Sequence, residues 1–356
     1  MDIKQAQEEA IELLKTLIAT PSYSREEGEL ADFLESRICA FGYQAKRHAN
    51  NIWLMAPRFS DNKPTLLLNS HIDTVKPTTG WKHEPHTPVV EGERLYGLGS
   101  NDAGASLVSL LYVFFLLSEK EQPYNLIFAA SAEEEVSGKS GMESLLLEMP
   151  PIDLAVVGEP TGMQLAVAEK GLMVVDCEAQ GVAGHAARNE GDNAIYKAIK
   201  DIAWIESTQL PKVSDLLGPV KMTVTMVHAG TQHNVIPDKC SFVIDVRSNE
   251  CYTNEEIFEI LQENLGSELN ARSFRLRSSG ISDEHPIVKK CTEMGISKFG
   301  SPTLSDQALM HFWSVKIGPG DSARSHTADE YIKLDEIRNA IECYYKILDG
   351  LEIPSK

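Results

Sequence analysis

The sequence lacks any paired-cysteine motif. Its six cysteines (Cys39, Cys177, Cys240, Cys251, Cys291 and Cys343) are scattered through 356 residues with no C-x-x-C. In a chain this long such spacing describes neither a disulfide framework nor a zinc knuckle, and it points to free thiols in a reducing compartment. Positive charge is also scarce: 33 Lys and Arg stand against 52 Asp and Glu, a formal net charge of -19. A phosphate backbone calls for the opposite surplus, so nucleic acid is not an expected partner. An anionic small substrate would need a local basic pocket. Long apolar runs are missing as well. The richest, 107–117, is too short to cross a bilayer and reads as a buried helix, so no membrane partner is expected. Met1-Asp2-Ile3-Lys4-Gln5 lacks the apolar core of a signal peptide, and the expectation is a cytoplasmic protein.

What is present is an ordinary globular composition, 42% hydrophobic and 24% charged. The chain exceeds the size at which one core stops growing, which predicts two domains. Ile11, Leu14, Leu17 and Ile18 fall on one helical face that Pro21 ends. Ser24-Arg25-Glu26-Glu27 has the spacing of a capping box and predicts a second helix running to Gly42. Short apolar runs at 52–56, 65–69, 126–130 and 154–157 suit strands, with the helix 103–117 between two of them. That alternation predicts an α/β sheet with helices on its faces. After Lys170 the order becomes strand 172–178, helix 193–206, strands 221–227 and 240–246, and helix 255–265. This β-α-β-β-α order predicts a small α+β sandwich inserted into the larger domain. The boundaries are 1–169 with 279–356 for the first domain and 170–278 for the insertion, and a helix over 335–348 closes the chain.

In open α/β sheets functional groups gather at the carboxyl ends of strands. Successive expected strand ends here deliver His71-Ile72-Asp73, then Gly99-Ser100-Asn101-Asp102, then Glu133-Glu134-Glu135, then Gly158-Glu159-Pro160. A last loop adds Ser325-His326 and Asp329-Glu330. Imidazoles and carboxylates in this number suit two zinc ions, since one carboxylate can bridge a metal pair. An Asp two residues from a ligating His can hold the ring's other N–H and so fix its tautomer. Adjacent glutamates repel unless a cation or proton sits among them. One of them can ligate while its neighbour acts as a base. Taken singly, each residue has a plainer reading as a solvated loop acid or a satisfied histidine. The ordered set does not.

His71-Ile72-Asp73-Thr74-Val75, Gly99-x-x-Asp102, Glu134-Glu135, Gly158-Glu159-Pro160 and His326, in that order, resemble the acetylornithine deacetylase/succinyl-diaminopimelate desuccinylase/carboxypeptidase family of two-zinc hydrolases. Gly181-Val182-Ala183-Gly184-His185-Ala186, Asn234-Val235-Ile236-Pro237 and Ile244-Asp245-Val246-Arg247 resemble its lid. The resemblance implies a zinc-peptidase-like catalytic domain carrying a ferredoxin-like lid through which two copies dimerise. It implies two divalent ions, zinc or cobalt, one held by His71, Asp102 and Glu159 and the other by Asp102, Glu135 and His326. It further implies Glu134 as general base, Asp73 as the residue orienting His71, and His185 as a hydrogen-bond donor to the reacting carbonyl oxygen. The triple Glu leaves two registers for base and ligand, Glu133/Glu134 or Glu134/Glu135; the second keeps the usual family separation to Glu159.

The same resemblance implies that Arg247, aided by Asn234, grips the carboxylate of a small N-acyl amino acid. Arg188 and Arg324 are further candidates, and Lys170 falls at the expected domain boundary. Gly318-Pro319-Gly320-Asp321-Ser322-Ala323-Arg324-Ser325-His326 resembles the acetylornithine deacetylase form of the last loop, which implies an N-acyl-ornithine or N-acyl-citrulline substrate. Ser301-Pro302-Thr303-Leu304-Ser305-Asp306 only echoes the desuccinylase form. The alternatives are a desuccinylase, or a dipeptidase or aminopeptidase using the same metal pair.

Overall fold

The computed structural model describes residues 1–188 and 190–354, and the chain folds into two compact units. The first comprises Met1–Val167, Ile281–Phe299 and Ser305–Lys356; the second comprises Ala168–Gly280 and Gly300–Leu304.

The first unit is built on a mixed sheet. Its strands run in the order Lys46–His48, Asn51–Met55, Asn125–Ser131, Thr65–His71, Leu154–Val157, Trp313–Lys316, Leu165–Glu169. The four central strands, from Asn125–Ser131 to Trp313–Lys316, are mutually parallel, and antiparallel neighbours flank them on both sides. Leu66-Leu67-Leu68, Leu126-Ile127-Phe128 and Leu154-Ala155-Val156-Val157 are all buried, with no polar alternation. Both sheet faces are therefore covered, as parallel strands require. The apolar helix Ala105–Ser118 is buried at every residue from Ala105 to Leu117, packed against the sheet and against the helices Ile3–Ala19 and Leu334–Leu348. It is a core helix. Its regular turns start two residues later than the expected 103, because Ser100–Gly104 forms an irregular turn in which Asp102 and Ala103 depart from helical angles.

One local expectation fails. The second helix spans Gly28–Ala40 and has no side-chain cap. The Ser24 hydroxyl donates instead to Asp73 Oδ2 at 2.7 Å. The Glu27 carboxylate, fully buried, accepts from the Arg25 N–H, the Asn50 amide and the Glu133 N–H. The Ser-x-x-Glu spacing is genuine, but tertiary partners outcompete the local cap.

The second unit carries a four-stranded antiparallel sheet in the order Lys221–Ala229, Lys239–Arg247, Met173–Gln180, Glu268–Ala271. Met173–Gln180 alternates buried and partly exposed positions. Its inward residues join Ala194 and Ala198 of helix Ala194–Ser207 and Ile257 and Leu261 of helix Asn254–Asn264 in one core. The resulting β-α-β-β-α-β order is that of a ferredoxin-like sandwich. Its fourth strand, Glu268–Ala271, escapes sequence reading because Glu-Leu-Asn-Ala offers neither β-branched residues nor a strong alternation. A two-stranded ribbon pairs Gly184–His185 with Val235–Ile236.

Candidate metal centre

Parallel strands present their carboxyl ends along one edge, and that edge collects the acids and histidines. His71 is the last residue of its strand and only 2% exposed. Its Nδ1–H donates to the Asp73 backbone carbonyl at 2.9 Å, which turns Nε2 toward Asp102 Oδ1 at 3.3 Å and Glu159 Oε1 at 3.9 Å. His326 lies in the loop after Ser322–Arg324, with a left-handed φ of 59° and a half-exposed side chain. Its Nε2 lies 3.0 Å from Glu135 Oε2 and 3.6 Å from Asp102 Oδ2. The two oxygens of Asp102 thus face two different imidazoles. The ligating atoms of His71, Glu134 and Glu159 lie within 4.8 Å of one another, as do those of His71, Asp102 and Glu135. The six residues implied as five ligands and a base therefore converge in the first unit.

The geometry separates the three successive glutamates. Glu133 has a φ of 58°, and its carboxylate turns back toward Gly138, where a Cβ would sit 1.8 Å from Oε2. Only glycine permits that approach. Glu133 therefore faces away from the cluster, while Glu134 joins His71 and Glu159, and Glu135 joins Asp102 and His326.

Asp73 meets the His71 ring through its backbone, and its carboxylate has other partners. The backbone carbonyl, not the carboxylate, is the close partner of the ring; the nearest carboxylate oxygen is 3.5 Å away. The carboxylate accepts the N–H of Glu134 at 3.0 Å and of Glu135 at 3.2 Å, besides the Ser24 hydroxyl. It fixes the backbone of both glutamates at once. Sequence reading assigned no such role to Asp73, and none to two buried acids that it named only in passing, Asp306 and Glu330. Asp306 accepts from Ser131 Oγ at 2.6 Å, and Glu330 accepts backbone N–H groups of the Asp102 loop. Both stand in the motif-bearing segments, and only their burial, 4% and 2% exposed, marks them.

Desolvation and crowding shift the titration of these groups. Burial lifts Glu134 well above its usual pKa, with Glu159, Asp306 and Glu135 adding to the effect against the pull of His71. Burial and Asp102 push Glu159 up to about 8, and burial raises Asp306 to about 6. Burial opposes charge on His71, but the carboxylates of Asp102, Asp73 and Glu159 overcome it and raise its pKa well above the usual value. The hydrogen bond that His326 donates to the Glu135 carboxylate raises its pKa to about 9. Divalent cations would invert this logic and release the protons. The donor set, two imidazole nitrogens and acceptor-only oxygens that crowd without enough positive charge, fits a pair of such ions.

In the second unit, His185 sits exposed in the ribbon, with Nδ1 accepting the Ala187 N–H at 3.1 Å; its proton is therefore on Nε2, as a donor. Asn234 is exposed, and its carbonyl accepts the Ala186 N–H at 3.0 Å. Arg247 is engaged bidentately by Asp245, Nε to Oδ1 at 2.8 Å and Nη2 to Oδ2 at 3.1 Å. Lys170 donates from Nζ to the Pro219 carbonyl. Two further candidate arginines also have partners of their own. Arg324 forms two hydrogen bonds to Glu336 and lies over the Tyr331 ring, a structural role, and Arg188 is an exposed partner of Glu190.

The central parallel strands of the mixed sheet bring His71, Glu134, Glu135 and Glu159 to one edge, where Asp102 and His326 join them from loops, and such a set defines a candidate divalent-metal centre. The chain belongs to peptidase family M20/M25/M40, whose model matches residues 67–350. It is 25% identical over 371 residues to a succinyl-diaminopimelate desuccinylase of Sphingopyxis alaskensis, covering 95% of this chain and 97% of the relative. Among solved structures it resembles an aminopeptidase from Bacillus cereus, with a TM-score of 0.77 and 20% identity over 96% of this chain and 98% of the other. It also resembles a dinuclear metal-binding peptidase of the M20 family from Bacillus subtilis, with a TM-score of 0.74 and 14% identity over 97% and 98%. Both share its fold. The protein is accordingly a metallohydrolase acting on amide bonds.

Proposed function

We propose that the enzyme uses two zinc ions to remove an acyl group from the amino nitrogen of a small amino acid, with N-succinyl-diaminopimelate ahead of N-acetylornithine as substrate. The observation that carries the two-ion reading is Asp102, whose Oδ1 and Oδ2 each face one imidazole. His71, Asp102 and Glu159 would hold one ion; Asp102, Glu135 and His326 would hold the other. Bound there, the ions would supply Lewis acidity and lower the pKa of water. Glu134, partly buried beside His71 and Glu159, would take the proton of the attacking water and return it to the leaving amine. The Nε2–H of His185 suits a developing oxyanion, because Nδ1 is already an acceptor. Arg247 would meet a substrate carboxylate through Nη1, since Asp245 takes its Nε and Nη2 edge. Asn234, immediately before the strand Val235–Ile236 that pairs with Gly184–His185, would assist.

Preference for the succinyl substrate rests on the desuccinylase relative, which is matched over nearly the whole of both chains. The last loop, similar to the acetylornithine deacetylase form, supports the second reading. A panel of N-succinyl-diaminopimelate, N-acetylornithine, N-acetylcitrulline and dipeptides with the zinc-loaded enzyme separates them. The expected kcat/KM for the succinyl substrate exceeds the others by at least about 10²-fold. A preference for dipeptides with a free amino group would sink the deacylase reading and leave a peptidase.

The protein is also proposed to dimerise through its second unit. Lys221–Ala229 is the terminal strand of its sheet and leaves Met226 and Val227 half exposed, while Tyr196 and Ile199 are exposed on the helix that packs against it. An open apolar edge of this kind invites a second copy. Met226→Asp is expected to weaken self-association by about two orders of magnitude in sedimentation equilibrium. A wild-type monomer, or an unchanged dimer in the variant, would count against it.

A further inference from the structure

Glu330 lies four residues beyond His326 and is almost wholly buried, and its carboxylate is committed to backbone rather than to an imidazole. Oε1 accepts the N–H of Asn101 at 2.8 Å and of Asp102 at 2.9 Å, and Oε2 accepts the N–H of Gly99 at 3.2 Å. The Glu330 carbonyl accepts a fourth, from Gly97, at 3.0 Å. One residue thereby holds the whole turn that ends in Asp102. A return connection runs through Asn101. Its Nδ2 donates to the Asp321 carbonyl at 3.1 Å and to Ser325 Oγ at 3.2 Å, and its Oδ1 accepts the Asp321 N–H at 3.0 Å. The loop that carries Asp102 and the loop that carries His326 are laced together from both sides.

The three hydrogen bonds to the Glu330 carboxyl group all come from backbone N–H groups, so both of its oxygens serve there as acceptors. A carboxylate meets that demand with charge-assisted bonds; an amide would set its NH₂ against one of the donors. We infer that Glu330 is the positioning residue of the metal centre, fixing the bridging Asp102 and its distance to His326. The inference rests on the two-ion reading above. Its consequence is unequal. The ion at His71, Asp102 and Glu159 keeps a buried imidazole locked by the Asp73 carbonyl. The ion at Asp102, Glu135 and His326 relies on an imidazole that is 52% exposed on a loop. Loss of Glu330 therefore weakens the second ion more than the first.

Stepwise titration of the metal-free protein with Co²⁺, followed by calorimetry and visible absorption, tests this without reference to turnover. The wild type is expected to take two ions. Glu330→Gln is expected to take the first within about threefold of the wild-type affinity and the second about 10–100-fold more weakly. Glu330→Asp, which keeps both oxygens but withdraws them by one methylene, is expected to fall between. Wild-type affinities at both sites in Glu330→Gln, or equal loss at both, would overturn the inference while leaving the two-ion reading intact. A wild type that takes fewer than two ions would overturn both. Melting of the metal-free variants is measured alongside; if neither folds, Glu330 is a plain structural anchor and the inference falls.

Discussion

Replacement of Glu134 by Gln is expected to leave both metal ions bound and to lower kcat by about 10²–10⁴-fold. The side chain keeps its shape and its place beside His71 and Glu159, so KM for the amide substrate should move little. What is lost is the ability to accept a proton. The neighbouring glutamates supply the controls. Glu135 lies 3.0 Å from His326 Nε2, so Glu135→Gln should release metal as well as activity. Glu133 faces Gly138, away from the cluster, so Glu133→Gln should retain most turnover. Steady-state kinetics with metal analysis on the three variants decides the matter. Normal turnover in Glu134→Gln, or dead enzyme in Glu133→Gln with metal retained, would reassign the base.

Removal of the metal should reverse the pH dependence of stability. Glu159 titrates near 4.5 in an unfolded chain but at about 8 in the metal-free fold, chiefly through burial. Between those values the folded protein holds a proton that the unfolded chain has released, so stability falls as pH rises through the window. His71, raised well above its usual value, and His326, raised to about 9, act in the same direction from pH 6.5 upward. Asp73 and Asp102 are lowered from 3.8, and their contribution is fully present throughout this range. The metal-free protein should therefore be most stable near pH 5–6. By pH 8.5 its melting temperature should fall by about 5–10 °C, from a loss of a few kcal/mol. With zinc the trend should invert, because ligands bind metal only when deprotonated. Calorimetric scans across this range with and without zinc make the comparison. A metal-free protein that gains stability from pH 5 to 8.5 would refute the claim that its buried acids hold protons.

The sequence made His71, Glu134, Glu135 and Glu159 legible as candidate site residues because they follow unbroken apolar strands, where topology leaves little choice of direction. His71 follows Leu66-Leu67-Leu68, and Glu134 and Glu135 follow Leu126-Ile127-Phe128, so strand recognition placed them on one edge. The supports were not legible, for a physical reason: each is an acid bonded to backbone N–H groups far away in sequence. Glu330 reaches back 228 residues to the Asp102 N–H, and Asp73 reaches forward 61 to that of Glu134. Nothing in local spacing encodes such a bond. Local spacing misled at Ser24, where a genuine capping pattern yields to a partner 49 residues away. Arg247 shows a different limit. Its position at a strand end was readable, but not its engagement by Asp245, two residues earlier on the same strand.

The props of the acidic run come in part from the first 51 residues of the chain. Ser24 holds Asp73, Glu27 accepts the Glu133 N–H, and Asn51 accepts the Ala132 N–H at 2.8 Å while donating to the Ser140 carbonyl. Ser24, Glu27 and Asn51 all precede residue 67, where the family match begins. A chain trimmed to that match would retain every proposed ligand and the base. It would lose the scaffolding that sets three adjacent glutamates on different courses, so the minimal hydrolase is longer than its family signature.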